Sequence, residues 1–161
     1  MKKIYNNLTI ENLIRTEEFK SFNKEKKEEI IKKADFFNFH QKYEILKGLN
    51  ANLDVSIYAT PEFDNRQMAQ IRYGLEKNLD VSVYAKPEFN KSQMEEIRWG
   101  LEANVDVSIY AKPIFSDIQM GEIRIGLEQN LDVSIYAKTE LSAKQMDQIR
   151  MKLLKESSLL W

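Results

Sequence analysis

Arg72, Arg98, Arg124 and Arg150 recur every 26 residues. A row of guanidinium forks at fixed spacing suits phosphate oxygens, which Arg grips through parallel hydrogen bonds. Lys86, Lys112 and Lys138 keep the same period, as do Tyr58, Tyr84, Tyr110 and Tyr136, whose rings could stack the bases of a single strand. Together these columns spell a nucleic-acid-binding reading. The plainer reading is structural. Glu76, Glu102 and Glu128 stand four residues after three of the arginines, and Asp80 and its equivalents offer a second acceptor. A helical pair of that kind contributes about 0.2 to 0.5 kcal/mol. Overall charge agrees: 24 basic against 25 acidic residues give a net charge of −1, whereas phosphate neutralisation dominates affinity for nucleic acid. Nucleic acid is the weaker expectation.

A different column points to a protein partner. Lys47, Tyr73, Trp99, Ile125 and Met151 occupy one position of the repeat, about 140° around a helical wheel from Met68. That is the side where a solvated residue would be polar. Large apolar residues there cover either the adjoining repeat or a partner. Their identity changes from repeat to repeat while the core columns stay constant, which favours partner contact, and Trp and Tyr are common interface anchors. Catalysis finds no support. The chain has no Cys and a single His, His40, which falls in the first turn of a helix. It has no glycine-rich phosphate loop, HExxH or nucleophile elbow. Its acidic residues recur with the repeat, whereas catalytic pairs occur once. No catalytic, cofactor-binding or metal-binding residue is therefore singled out.

Elements that position these columns are written into the same period. All three prolines (Pro61, Pro87, Pro113) and four of the five glycines (Gly48, Gly74, Gly100, Gly126) keep it. Such a period means stacked supersecondary units, each too small to bury its own apolar face. Five repeats fill residues 35–154, between an N-terminal helical cap, residues 1–34, and a short apolar tail, residues 155–161. Asn38, Asp64, Asn90, Ser116 and Ser142 are N-cap residues, and Gln41, Gln67, Gln93, Gln119 and Gln145 complete capping boxes. Phe63-type residues before the cap and Met68-type residues after it form hydrophobic staples. Asn52, Asn78, Asn104 and Asn130 are left-handed stop residues, each followed by Leu or Val. A mid-helix glycine costs about 1 kcal/mol against Ala, so we expect the adjoining repeat's backbone to approach it closely. The segment DVSVYA and its copies fit a short second helix capped by Asp80, with Val81 and Tyr84 on one face. As strands they would build a leucine-rich-repeat-like α/β horseshoe. The fold expected is all-α, a short α-solenoid of helix-turn-helix repeats with capping helices.

At the string IRxGLExNLDVSxYAxPxF the chain resembles a tandem repeat of uncharacterised bacterial and prophage-encoded proteins. Arg98, Gly100, Leu101, Glu102, Asp106, Val107, Ser108, Tyr110, Ala111 and Pro113 carry that match in one repeat. The resemblance brings no activity or cofactor; the prophage association implies an inhibitor that occludes a host protein. The expected product is a non-catalytic protein-binding scaffold working along one extended face. With no disulfide-forming residues, no apolar stretch of membrane-spanning length and no signal-peptide pattern at MKKIYNNLTI, it is expected to be cytoplasmic and off the membrane. Leu159, Leu160 and Trp161 would fold back as a C-terminal cap or join two copies, so the expected state is a monomer or a tail-mediated dimer.

Overall fold

The computed structural model describes Ile14 and residues 17–158. Their α-helices are α1 (Glu17–Ser21), α2 (Lys24–Lys33), α3 (Phe39–Asn50), α4 (Asn65–Glu76), α5 (Lys91–Glu102), α6 (Asp117–Glu128) and α7 (Ala143–Ser158). One turn of 3-10 helix lies between successive repeat helices, at Val55–Ile57, Val81–Val83, Val107–Ile109 and Val133–Ile135. The chain forms two compact units, Met1–Asn78 and Leu79–Trp161. In the first, α2 packs on α3 and α3 on α4; in the second, α5 packs on α6 and α6 on α7. The fold is all-α with solenoid-type stacking inside each unit. No strand occurs among the described residues, so the horseshoe does not form.

The caps work as their chemistry dictates. Asn38, Asp64, Asn90 and Ser116 each accept the backbone N–H three residues on, while the Gln at that position accepts the N-cap N–H. Ser142 and Gln145 repeat the exchange at the start of α7. At the other end Asn52, Asn78, Asn104 and Asn130 adopt φ of 55° to 57°, the left-handed region that Asn tolerates better than most residues. Leu53 N–H then donates to Gly48 C=O and Asn52 N–H to Leu49 C=O, the paired closure of a Schellman stop. The fifth repeat has Glu156 where this Asn would stand, and α7 runs on to Ser158. Residues 155–158 are therefore helical, while Leu159, Leu160 and Trp161 lie outside the described residues.

The second element is a helix, but a single 3-10 turn. Each Asp side chain accepts both the backbone N–H and the hydroxyl of the Ser two residues on, as Asp106 does from Ser108 at 3.1 and 2.6 Å. That local bond tightens the turn. Val107 and Tyr110 still share the buried face, and the fold-back ends at Lys112 and Pro113.

The glycines correct an expectation. The atoms nearest to Gly48, Gly100 and Gly126 are side-chain atoms of their own repeat, not backbone of the adjoining one. A methyl group at each would overlap the hydroxyl of Tyr58, Tyr110 or Tyr136, ten residues on, and press against Val55, Val107 or Val133. The tyrosine lies beneath its own helix and donates to the carbonyl one turn before the glycine: Glu44, Glu96 or Glu122 at 3.1 to 3.2 Å. In α7 the glycine position is Lys152.

The core repeats as well. Met68, Met94, Met120 and Met146 are fully buried, as are Ile45, Ile71, Ile97 and Ile123, and all four column tyrosines. At the N-terminal side Asn23 caps α2 by accepting from Lys26 N–H at 2.9 Å. Its outer face carries the exposed pairs Lys26–Glu29, Lys32–Glu28 and Lys33–Glu29. The residue α2 buries completely is Ile31.

Candidate partner-binding surface

The arginine column forms a clasp between helices. Arg72 is 3% exposed; its Nε donates to Glu44 Oε2 at 2.8 Å and its Nη1 to Glu76 Oε1 at 2.5 Å. Arg124 does the same with Glu96 and Glu128, at 2.9 and 2.6 Å. Arg98 pairs with Glu102. Arg150 keeps the bond from Nε, to Glu122 at 2.7 Å, and with Leu154 in place of the i+4 glutamate turns its Nη2 to Asp147 at 2.7 Å. The second partner is thus a carboxylate of the preceding repeat helix, 28 residues back. It is not the Asp80-type residue expected, because that side chain is already committed to its serine. Burial opposes the charge on Arg72, but its hydrogen bonds to Glu44 and Glu76 outweigh that and hold its pKa above the ordinary value. Arg124 and Arg150 are raised by the same balance.

The columns named for nucleic acid differ in exposure. The arginines are mostly buried and engaged with carboxylates. The tyrosines are 0% exposed and present no ring face; burial pushes the Tyr136 phenol up to about 12 and raises Tyr58, Tyr84 and Tyr110 as well. Lys86, Lys112 and Lys138 do stand exposed beyond each 3-10 turn.

The variable column is half-exposed. Tyr73 and Trp99 are each 39% and Met151 41% accessible, while Lys47 and Ile125 are intermediate. Lys47 and Tyr73 belong to the first unit, and Trp99, Ile125 and Met151 to the second. Part of each ring is used laterally. The Arg72 guanidinium lies 4.4 Å from the Tyr73 ring centre, and Trp99 lies near Arg98 at 5.9 Å and Arg124 at 5.3 Å. Each ring nonetheless keeps solvent-exposed surface.

Other exposed apolar residues escaped the sequence reading. Phe39 is 78% and Tyr43 51% exposed on α3, and Ile114 and Ile118 are 71% and 64% exposed at the start of α6. The signal was present: position 39 is otherwise Asn65, Lys91, Asp117 and Ala143, and position 114 is otherwise mostly Glu. Column-by-column comparison of polarity would have found both. His40 is exposed, with its ring edge-on to Phe39 at 5.5 Å. Among the described residues no three His, Cys, Asp or Glu side chains are placed to hold a metal ion. No described helix is long and apolar enough to cross a membrane. No protein-family model, no curated protein and no solved structure matches the chain.

Proposed function

We propose that the protein is a non-catalytic scaffold that binds another protein through the variable column, Lys47, Tyr73, Trp99, Ile125 and Met151. One observation carries this reading: while the core columns stay nearly constant, this column of mostly large apolar residues varies in identity and is left half-exposed, with Tyr73, Trp99 and Met151 at 39% to 41%. Amphipathic aromatics at such a place bury much area at low rotamer cost when a partner covers them. The resemblance of the repeat to prophage-encoded sequences adds the biological sense, a cytoplasmic inhibitor that occludes a host protein, acting as a monomer or as a dimer through the C-terminal tail.

The test is capture from the native host followed by mass spectrometry, with wild type beside a Tyr73→Ala/Trp99→Ala double variant. A protein retained by wild type and lost from an equally folded variant is the expected result. The melting temperature should move little, because each side chain is only partly buried; a large drop would make the column part of the core. Tight, salt-sensitive shifting of nucleic acid, with no protein retained, would replace this reading with the rival one based on Lys86, Lys112 and Lys138.

A further inference from the structure

Helix α3 departs from the other repeat helices along its outer side. Where they carry Asn65, Lys91, Asp117 or Ala143 it has Phe39. Where they carry Ala69, Glu95, Gly121 or Asp147 it has Tyr43, and in the arginine column it has Leu46. These three stand at i, i+4 and i+7 and so share a stripe. With Lys42 and with Lys32 of α2 they line an open cleft of about 320 Å³. The exposed rings are not needed by the helix itself: Asn38 and Gln41 close its N-terminal cap without them.

The rim of this stripe is cationic. The Lys47 ammonium lies 4.8 Å from the Tyr43 ring centre. Lys42 reaches across to the last-turn carbonyl of Lys32 at 3.1 Å, which fixes its stem beside the cleft. The nearby carboxylates are already engaged, Glu44 by Arg72 at 2.8 Å and Glu28 by Lys32 at 3.3 Å. Lys42 and Lys47 have no carboxylate partner among the described residues. An apolar floor edged by uncompensated lysines is complementary to one class of ligand, an amphipathic segment whose buried face is apolar and whose flanks are acidic. A polynucleotide fits less well, since Leu46 and the cleft floor offer its phosphates nothing.

We propose that the outer face of α3 is a docking groove for an acidic amphipathic segment of a partner protein. This rests on the protein-binding reading above and adds the partner's chemistry, using Phe39, Tyr43 and Leu46 as floor and Lys42 and Lys47 as rim.

The test titrates the full-length chain with three labelled helical peptides that share one Leu/Trp face and carry an acidic, a neutral or a basic opposite face. Labelled oligothymidine is the fourth probe. The acidic peptide should bind about tenfold or more tighter than the basic one, and less tightly as salt rises. Phe39→Ala/Tyr43→Ala should weaken it about tenfold or more with the thermal melt unchanged, and Lys42→Glu/Lys47→Glu should reverse the charge preference. Equal affinity for all three peptides, or no binding by any, overturns the groove. So does tighter binding of oligothymidine that displaces the acidic peptide. If acidic-peptide binding survives Phe39→Ala/Tyr43→Ala but is lost in Tyr73→Ala/Trp99→Ala, the groove is wrong while protein binding stands. Failure of the broader reading looks different: the chain shifts nucleic acid and retains no protein from the host.

Discussion

Gln93 engages both ends of its amide. Oε1 accepts the Asn90 N–H to close the capping box, and Nε2 donates to Phe115 C=O at 2.7 Å and Pro113 C=O at 3.1 Å, at the threshold of the following helix. Gln41 reaches Phe63 C=O and Gln119 reaches Leu141 C=O in the same way. A capping box accepts Glu or Gln equally, so the cap alone does not account for five glutamines in five repeats. The donor requirement accounts for it at Gln41, Gln93 and Gln119. Gln93→Glu should keep the cap yet place a buried carboxylate against carbonyl oxygens, lowering stability by about 1 to 3 kcal/mol in urea unfolding; an unchanged midpoint would mean the Nε2 bonds contribute nothing. The invariance was visible in the sequence. Its cause was not, because only the fold brings a carbonyl 22 residues away to the amide.

Helix α6 carries two glycines with opposite prospects. Gly126 lies over the Tyr136 hydroxyl, so Gly126→Ala should cost about 1 to 3 kcal/mol by overpacking even though Ala is the better helix former. Gly121, five residues earlier in the same helix, would place a methyl group 3.4 to 3.5 Å from the Glu96 carboxylate, an ordinary contact. There Gly121→Ala should gain up to about 1 kcal/mol from helix propensity. Parallel thermal melts decide both, and a gain at Gly126 would remove the tyrosine from beneath the helix. Boundaries of the repeat helices were legible because Asn at C′ and a capping box at the start are chemically specific, and the longer α7 follows from Glu156 in the Asn column. The DVSxYA segment was legible only in part: its apolar spacing suits a strand or a helix, and the Asp–Ser bond that settles it into one 3-10 turn acts over two residues, below the reach of periodicity.

Over the whole chain, four buried tyrosines tie stability to alkaline pH. Each phenol is held neutral by burial, with its folded pKa above the ordinary value of about 10. Their contribution is complete below about pH 10 and is lost as pH rises through the folded values, about 12 for Tyr136. Phenolate absorbance of these four should therefore appear together with the loss of helical circular dichroism; ionisation of all of them with the helices intact would contradict their burial. Fold class was readable throughout because every repeat restates it. The candidate surface was readable only where a column varies, as at Tyr73 and Trp99, and was overlooked at Phe39, where one repeat alone departs. The two kinds of bond also differ in span. Tyrosine under glycine closes within ten residues of one repeat, whereas arginine reaches a carboxylate 28 residues back, in the preceding one. A block cut from one N-cap to the next carries its own lock, together with half of a clasp that a preceding block completes where it bears a carboxylate at the position of Glu44, Glu96 and Glu122. A block joined behind such a carboxylate therefore remakes the clasp at its new junction, so the array can change length by whole blocks at those places.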